Sequence, residues 1–225
     1  MNMCGRFTLT ETINNLQRVF EFEYFGGEIV PRYNIAPSQN ILTVMNNGKQ
    51  RIGRQMKWGL VPFWAKDEKI GYKMINARAE GIDSKPSFKT PFKRKRCLIL
   101  ADGFYEWKKT EEGKQPYRFI LKNEKPFAFA GVWDTWNNGD HSLMSCTIIT
   151  TEPNEVTEEV HDRMPVILNE GDYNDWLNPN FTDVEYLKSL LVPFSADKMD
   201  MYPVSIKVNS PKNELAELIS PLNSF

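Results

Sequence analysis

The chain has few of the residues from which metal sites and disulfide frameworks are built. Its 225 residues contain three cysteines, Cys4, Cys97 and Cys146, and two histidines, His141 and His161. The cysteines are odd in number and far apart in the sequence, and no Cys-x-x-Cys pair occurs. We therefore expect no structural zinc site, no other metal, no cofactor and no disulfide framework.

An excess of charge of one sign and long apolar runs are also missing. Lys and Arg together number 28, Asp and Glu 29, and the formal net charge is −1. The overall charge does not indicate a nucleic-acid-binding protein, so such a role would need a local basic patch. No apolar run reaches the length that spans a membrane, and the N-terminus lacks a signal-peptide pattern. We expect a cytoplasmic protein with reduced cysteines and no membrane partner.

The rest of the composition, 41% hydrophobic and 25% charged, is typical of a globular protein with a sizeable core. Short apolar segments alternate with turn-rich stretches such as Asn46-Asn47-Gly48-Lys49, which favours antiparallel pairing. We predict one α+β domain over residues 1–225, built on a strongly curved, mostly antiparallel, barrel-like β-sheet with short flanking helices. The predicted strands are 41–45, 51–57, 96–107, 117–121, 127–133, 146–151 and 201–205, and the predicted helices are 11–20, 151–160, 172–177, 183–191 and 214–219.

Cys4, within Met3-Cys4-Gly5-Arg6-Phe7, would be unusually reactive if the residues before it were removed. Its α-amine and thiol would then lie on adjacent carbons. Such an aminothiol condenses with an aldehyde to an imine, and the sulfur can close a thiazolidine ring. An internal cysteine cannot react in this way, because its nitrogen is an amide. The hypothesis therefore requires translation from Met3 followed by methionine removal, or self-cleavage before Cys4. An incidental or buried cysteine is the alternative.

Four further segments combine polar groups that chemistry could use. Each also has a structural interpretation: Asn76 in a turn, Glu106 paired with Lys108 on an edge strand, and His161 at the surface near a helix end. The arginines could form ordinary ion pairs. No segment is diagnostic by itself. The segments are Tyr33-Asn34-Ile35-Ala36-Pro37, Asn76-Ala77-Arg78-Ala79-Glu80, Asp102-Gly103-Phe104-Tyr105-Glu106-Trp107 and His161-Asp162-Arg163-Met164-Pro165.

Taken together and in this order, the blocks around Cys4, Asn76, Glu106 and His161 resemble the SRAP family. These proteins, named SOS response-associated peptidases, are now regarded as abasic-site processing proteins. The Trp58-Gly59-Leu60-Val61-Pro62 segment and the 33–37 segment fit the same pattern, and the resemblance runs from Cys4 to about Pro203. The Met1-Asn2 extension departs from it, since family members usually begin at the methionine directly before the cysteine.

The resemblance implies a sensor of abasic sites in single-stranded DNA. It would crosslink covalently to the lesion and shield it during the DNA damage response. Cys4 would be the aminothiol nucleophile, and Glu106 would donate a proton that opens the sugar ring. His161 would shuttle the protons of imine formation, because its unperturbed pKa is near ~6.5. Asn76 would hold the amine or a sugar hydroxyl in line.

DNA binding needs cations for the phosphates and flat groups for the bases. Arg6, Arg78 and Arg163 lie within the site segments and are the leading candidates for phosphate contact. Trp64 and, more weakly, Pro37 could shape the path of the bases. The basic run 89–96 is a secondary candidate for phosphate contact. The expected partner is single-stranded DNA that contains abasic sites, bound by a monomeric, nucleoid-associated protein.

Other activities stay open at this stage. The same groups could cleave the Met3-Cys4 bond, and the imine permits β-elimination of the 3′ phosphate, which is a lyase reaction. A cysteine peptidase or amidohydrolase with Cys4 as N-terminal nucleophile, not acting on DNA, is one alternative. A noncatalytic module that binds single-stranded DNA is another.

Overall fold

The computed structural model describes residues 4–139 and 141–222. Within these ranges, two β-sheets form the framework of the fold. The strands are β1 (Phe7–Leu9), β2 (Arg32–Ile35), β3 (Asn40–Asn46), β4 (Arg51–Trp58), β5 (Asn76–Arg78), β6 (Arg96–Ala101), β7 (Gly103–Thr110), β8 (Gly113–Leu121), β9 (Phe127–Asn138), β10 (His141–Thr151), β11 (Met164–Pro165) and β12 (Met199–Pro203).

Short helices flank the sheets. None of those within the described ranges is both long enough and apolar enough to cross a bilayer. The α-helices are α1 (Ile13–Phe20), α2 (Pro86–Arg94), α3 (Glu155–Glu158), α4 (Tyr173–Leu177) and α5 (Val184–Ser189). The 3-10 helices are Glu68–Lys73, Ala79–Gly81, Glu170–Asp172, Ala196–Lys198, Ile206–Asn209 and Ala216–Ile219.

The larger sheet closes on itself. Its strand order is β11-β10-β4-β3-β6-β9, and β9 also pairs with β10, so that five strands form a barrel-like ring. The strands pair antiparallel except that β4 and β5 run parallel to β10. The β9–β10 pairing extends from Asn138 opposite His141 to Gly131 opposite Ile148. The prediction of an α+β fold with a curved, mostly antiparallel, barrel-like sheet is confirmed.

The smaller sheet, in the order β12-β8-β7-β1-β2, is antiparallel throughout. Buried aromatic rings join it to the ring of the larger sheet. Phe104 meets Phe129 edge-on with centroids 6.1 Å apart, and Phe7 meets the same ring edge-on at 5.8 Å. Pairs of this kind contribute about 0.5–1.5 kcal/mol beyond the area they bury. The two sheets therefore share one continuous apolar core.

The prediction of one long strand over 96–107 is wrong. The segment forms β6 in the larger sheet and β7 in the smaller one, and the chain crosses between them at Asp102. The carboxylate of this buried residue accepts hydrogen bonds from Thr8 at 2.5 Å and from Arg118 at 3.3 Å. Asp102 and Gly103 interrupt the apolar segment at the crossing, but strand-forming residues lie on both sides, so hydrophobicity alone does not show that the two halves belong to different sheets.

Other predictions differ in detail. The 33–37 segment, for which we predict no strand, begins inside β2. The helix predicted over 151–160 is the shorter α3, which starts after a capping box formed by Asn154 and Thr157. The helix predicted over 214–219 is a 3-10 helix, Ala216–Ile219. Helix caps and short turns determine where these elements begin and end, and hydrophobic periodicity does not predict their exact bounds.

The basic run 89–96 is not an open phosphate-binding segment. It forms the end of α2 and the start of β6, and α2 buries Phe88 and Phe92 one turn apart. Lys95 is paired with the buried Asp134 at 2.6 Å. Arg96 is buried as well. Lys95 and Arg96 stabilise the fold, which leaves Lys89 and Arg94 as the exposed cations of the run.

Two facing glycines shape the chain between β4 and β5. Gly59 has φ of +127°, and a Cβ atom there would lie 2.5 Å from the carbonyl oxygen of Gly71. The close approach lets Leu60 N–H donate to Met74 O at 3.0 Å. The buried Trp58 indole donates to Ile75 O at 2.8 Å. These contacts fix the approach to β5, whose first residue is Asn76.

Arg96 joins the ends of two helices to the barrel. Its guanidinium stacks on Trp176, with 5.8 Å between the carbon Cζ and the ring centroid. Burial lowers its pKa to about 10, and backbone carbonyls surround the charge. It donates to the carbonyl oxygens of Phe92, Lys93, Trp176, Asn178 and Phe181.

Replacing Arg96 by Met should therefore destabilise the protein strongly. The substitution keeps much of the apolar stem but leaves several buried carbonyls without a donor, each of which costs about 1–3 kcal/mol. We expect a loss of about 3 kcal/mol or more in urea denaturation. Arg94→Met, at an exposed position two residues earlier, should change stability by less than about 0.5 kcal/mol. Equal stabilities for the two variants would contradict this account of Arg96.

Candidate active site

The pairing of β1 with β7 brings Cys4 to Glu106. Phe7 lies opposite Phe104, and Tyr105 N–H donates to Arg6 O at 3.0 Å. Following the antiparallel ladder towards the start of the chain, Cys4 N–H reaches Glu106 Oε1 at 2.6 Å. While residues 1–3 are attached, this nitrogen is a peptide amide. In a chain that began at Cys4, the same nitrogen would be the α-amine. Residues 1–3, whose removal the sequence analysis predicts, lie outside the described ranges.

Glu106 lies in a setting that favours its neutral form. The residue is 2% exposed. Burial raises its pKa to about 8, the hydrogen bond from Cys4 N–H opposes this rise, and the charge of Asp162 adds to it. At neutral pH the group is therefore mainly a carboxylic acid with a proton to donate. The alternative interpretation, an edge-strand charge paired with Lys108, does not fit this burial.

The thiol of Cys4 is buried too. Burial raises its pKa well above the ordinary value, and the neighbouring Glu106 raises it further. The backbone of Cys4 has φ of +33°, a left-handed conformation that is uncommon for residues other than glycine. At neutral pH the sulfur is therefore a thiol and not a thiolate, so the nitrogen is the better placed of the two groups to react first.

Asn76, which belongs to the larger sheet, also contacts Cys4. It begins β5 and pairs in parallel with Ile148 of β10. Its Nδ2 atom lies 3.5 Å from the carbonyl oxygen of Cys4. Three of the four predicted catalytic residues, Cys4, Asn76 and Glu106, are thus in direct contact as a group.

His161 stands just after α3. Its N–H donates to Thr157 O at 2.9 Å, which fixes the backbone at the helix end. The side chain is 12% exposed, and its Nδ1 accepts a hydrogen bond from Arg163 N–H at 3.1 Å. Oδ1 of Asp162 lies 3.1 Å from the same nitrogen. A neutral ring that accepts at Nδ1 carries its proton on Nε2.

A groove of about 540 Å³ connects these elements at the surface. Trp107 and Lys108, which line it, follow Glu106 in β7, and Arg78 lines it two residues after Asn76. His161 and Asp162 form part of another wall. The volume is in the range of small-molecule sites, so a sugar with a flanking phosphate would fit.

The three predicted phosphate ligands differ in how strongly the protein holds them. Arg6 donates to Asn34 Oδ1 at 2.7 Å and to Val208 O at 2.6 Å, and it lies over Trp107. The exposed Arg78 lines the groove. Among the three, Arg78 is the guanidinium most open to a ligand.

Arg163 faces protein groups instead. Both of its terminal nitrogens pair with the carboxylate of Glu80. One of them also donates to Thr150 O at 2.7 Å. A phosphate that reached Arg163 would have to compete with Glu80.

The two predicted base contacts lie on neighbouring loops. Trp64 is 47% exposed, and the preceding Phe63 is tied down by an N–H donated to the buried Asp134 at 2.9 Å. Pro37 follows β2 and is half-buried. The next residue, Ser38, donates its N–H to Trp58 O at 2.8 Å. A fixed loop with an exposed ring is suited to stacking.

Three residues of the site escaped the sequence analysis. Asp162 was visible only as the neighbour of His161. Lys108 was considered solely as a partner for Glu106, although residues two apart on a strand share a face. Asn34 holds Arg6 and donates to three carbonyls of the 208–213 segment, a long-range contact without a local signal.

Over residues 4–139 and 141–222, no group of three or more His, Cys, Asp or Glu side chains is arranged to hold a metal ion.

The buried acid predicts a pH-dependent stability. Glu106 has an ordinary pKa of 4.5 when unfolded and about 8 in the native protein. The unfolded chain therefore releases this proton first, so the native state loses stability as pH rises from 4.5 to 8. We expect Glu106→Gln, with residues 1–3 retained, to become more stable than the parent over this window. The gain should reach at most about 1.4 kcal/mol per pH unit in urea denaturation.

An exposed glutamate provides the matched control. Glu112→Gln, in the turn between β7 and β8, should follow the parent at every pH. Parallel stability curves for Glu106→Gln and the parent would mean that Glu106 ionises normally.

The chain is similar to known proteins over most of its length. The chain is 54% identical over 221 residues to "Abasic site processing protein YoqW" of Bacillus subtilis, covering 96% of this chain and 99% of that protein. It is 32% identical over 230 residues to "Abasic site processing protein HMCES" of Gallus gallus, covering 87% and 68%. A solved crystal structure of a protein from Bacteroides thetaiotaomicron superposes with a TM-score of 0.89 at 27% identity, covering 98% and 100%. The model of the family "SOS response associated peptidase (SRAP)" matches residues 3–211. The chain belongs to the SRAP family.

Proposed function

We propose that this protein processes abasic sites in single-stranded DNA by forming a covalent crosslink through Cys4, once the residues before it are removed. The observation that carries the proposal is the 2.6 Å contact between Cys4 N and the buried, protonated Glu106. The relatives named as abasic site processing proteins support the choice of lesion. Shielding of the lesion during the DNA damage response would follow from the crosslink.

The first step concerns the sugar. An abasic deoxyribose is mostly a closed hemiacetal, and only its open form presents an aldehyde. Glu106 keeps its proton at neutral pH, so it can donate to the ring oxygen as the bond between that oxygen and the anomeric carbon breaks, while the anomeric hydroxyl gives its proton to solvent and becomes the aldehyde oxygen. The Cys4 nitrogen lies 2.6 Å from the same carboxyl group, so it would be close to the aldehyde carbon of a sugar that Glu106 has opened. Acid and nucleophile are thereby positioned together.

The amine and the carboxyl group would exchange a proton readily. A free α-amine has a reference pKa of ~8, and burial raises that of Glu106 to about 8. Two groups this close titrate as a pair, and one proton is shared between them near neutral pH. Once Glu106 has given its proton to the sugar, its carboxylate can take the proton of the amine. This transfer gives a neutral nucleophile and restores the carboxylic acid.

The later steps need further proton transfers. Attack of the amine on the aldehyde gives a carbinolamine, which loses water to form the imine. The sulfur then adds to the imine carbon and closes the thiazolidine ring. Cys4 carries a thiol with a raised pKa, so a base must take its proton during ring closure. His161, in the adjoining groove, is the group we assign to these transfers.

DNA would enter along the groove. Arg78, which lines the groove, is the leading phosphate ligand. Arg6, held in place by its hydrogen bond to Asn34, would add a second positive charge. Arg163 would join when a phosphate replaces Glu80. Trp64 and Pro37 would guide the bases. None of these groups reads a base edge, so recognition would depend on the aldehyde and on strand flexibility.

Two side reactions would use the same groups. Glu106 or the Cys4 thiol could assist cleavage of the Met3-Cys4 bond, and β-elimination from the imine would give lyase activity. The peptidase alternative is weaker, because a cysteine nucleophile acts as a thiolate and burial raises the Cys4 pKa. We therefore retain abasic-site crosslinking as the main function.

The crosslink itself is the first test. Protein shown by intact mass to begin at Cys4 should give a heat-stable band of combined mass with a single-stranded oligonucleotide carrying one abasic site, on a denaturing gel. Cys4→Ser should lose this band, because a serine imine stays hydrolysable. Cys146→Ala, which removes another buried thiol, should retain it. Absence of any adduct with the processed protein would contradict the proposed function.

The pH dependence of the crosslinking rate tests Glu106. Below about pH 8 the amine gains a proton and attacks more slowly, and above pH 8 Glu106 loses the proton it must donate. The rate should pass through a maximum near this pH. Glu106→Gln should slow the reaction by about 10²-fold or more and remove the alkaline decline. A variant that kept both the rate and the decline would exclude Glu106 as the acid.

A further inference from the structure

One ring nitrogen of His161 faces two partners with opposite requirements. The N–H of Arg163 lies 3.1 Å from Nδ1 and donates to it. Oδ1 of Asp162 lies 3.1 Å from the same atom. The N–H donor requires a lone pair on Nδ1, whereas the carboxylate requires a proton there. The two neighbours therefore favour different forms of the ring.

The form of the ring decides what its other nitrogen can do. When Nδ1 has the lone pair, the neutral ring carries its proton on Nε2, which can then only donate. When Nδ1 carries the proton, Nε2 of the neutral ring can accept one. The Arg163 N–H thus favours a hydrogen-bond donor at Nε2, and the Asp162 carboxylate favours a base at Nε2.

We propose that Asp162 is a positioning residue that stabilises the Nδ1–H form of His161 and so enables Nε2 to take up a proton. This inference rests on the proposed function, in which His161 moves the protons of thiazolidine formation. Asp162 does not touch the substrate. It acts through the imidazole ring.

The proton balance of the reaction calls for such a residue. During dehydration, Nε2–H of the imidazolium protonates the leaving hydroxyl group, the C–O bond breaks, and the nitrogen lone pair forms the iminium C=N bond. This leaves a neutral His161 with its proton on Nδ1, the form that Asp162 stabilises. During ring closure, sulfur bonds to the carbon and the C=N electron pair returns to nitrogen. The thiol proton passes to Nε2, which restores the imidazolium.

Other charges surround His161 on the groove wall, and they do not replace Asp162. The cations oppose a protonated ring. The carboxylate of Glu159, which also lines the groove, acts only through its charge, whereas Asp162 contacts Nδ1 directly. The titratable and charged groups around the ring are Arg78 from β5, Glu106, Lys108 and Lys109 from β7, Glu159 at the end of α3, and the Glu80–Arg163 pair.

The surroundings allow Asp162 to move while the ring stays in place. His161 is held by its N–H bond to Thr157 O, and Thr157 belongs to the capping box with Asn154. The Asp162 side chain, in contrast, is 90% exposed. A rotation of this carboxylate is enough to make or release the contact with Nδ1, so the ring can change form without any movement of the backbone.

Nitrogen-15 NMR of the processed protein without DNA tests the inference directly. The chain has two histidines, and His141, on the β9–β10 hairpin against Trp136, serves as the internal reference. In Asp162→Ala, the neutral His161 ring should shift towards the Nε2–H tautomer. Glu159→Gln removes a charge from the same groove without removing a partner of Nδ1, so its tautomer ratio should match the parent.

The crosslinking rate gives the functional readout. Asp162→Ala should be slowed about tenfold at neutral pH, less than the ~10²–10⁴-fold that loss of a whole general acid–base group costs. Asp162→Glu, which keeps a carboxylate, should recover most of the rate. An unchanged tautomer ratio in Asp162→Ala would overturn the inference, whatever the rate. If the parent protein formed no crosslink, the proposed function would fail, while the tautomer measurement would still decide the role of Asp162 at the ring.

Discussion

The register between β1 and β7 is the constraint on which the site depends. Phe7 opposite Phe104 sets the position at which Cys4 N meets Glu106. A slip of one residue in an antiparallel ladder turns every side chain to the opposite face, which would remove Glu106 from the site. The aromatic contacts of Phe7, Phe104 and Phe129 oppose such a slip. The reacting pair is therefore held by the packing of the hydrophobic core.

Two buried carboxyl groups flank Phe104 and have different roles. Asp102 accepts hydrogen bonds from Thr8 and Arg118, so a charge can be tolerated there and the residue anchors the crossing between the sheets. Within the described part of the chain, Glu106 forms no ion pair, and its hydrogen bond comes from Cys4 N–H. Burial without a cation keeps it protonated. The environment, and not the residue type, makes one an anchor and the other an acid.

The sequence predicted the parts of this protein that local pattern controls. The hairpin of β3 and β4 follows from its Asn-Gly turn, and its strands lie within a residue or two of the predicted bounds. The crossing at Asp102 depends on side chains distant in the sequence, Thr8 and Arg118, so the strand-forming residues on both sides of it did not reveal that they belong to different sheets. The proximity of Cys4, Asn76 and Glu106 came from the family resemblance alone. No periodicity could supply it, because Asn76 and Glu106 lie on strands of two different sheets and Cys4 precedes β1.

Glu106 and His161, the two groups assigned to proton transfer, lie on different elements of the fold, but Asp162 acts on both of them. The charge of Asp162 helps to raise the pKa of Glu106, and Asp162 also contacts Nδ1 of His161. When His161 takes up a proton, its positive ring offsets the charge of Asp162, and the pKa of Glu106 should fall. Asp162 therefore links the two groups, because one carboxylate favours the neutral form of Glu106 through its charge and the Nδ1–H form of His161 through direct contact.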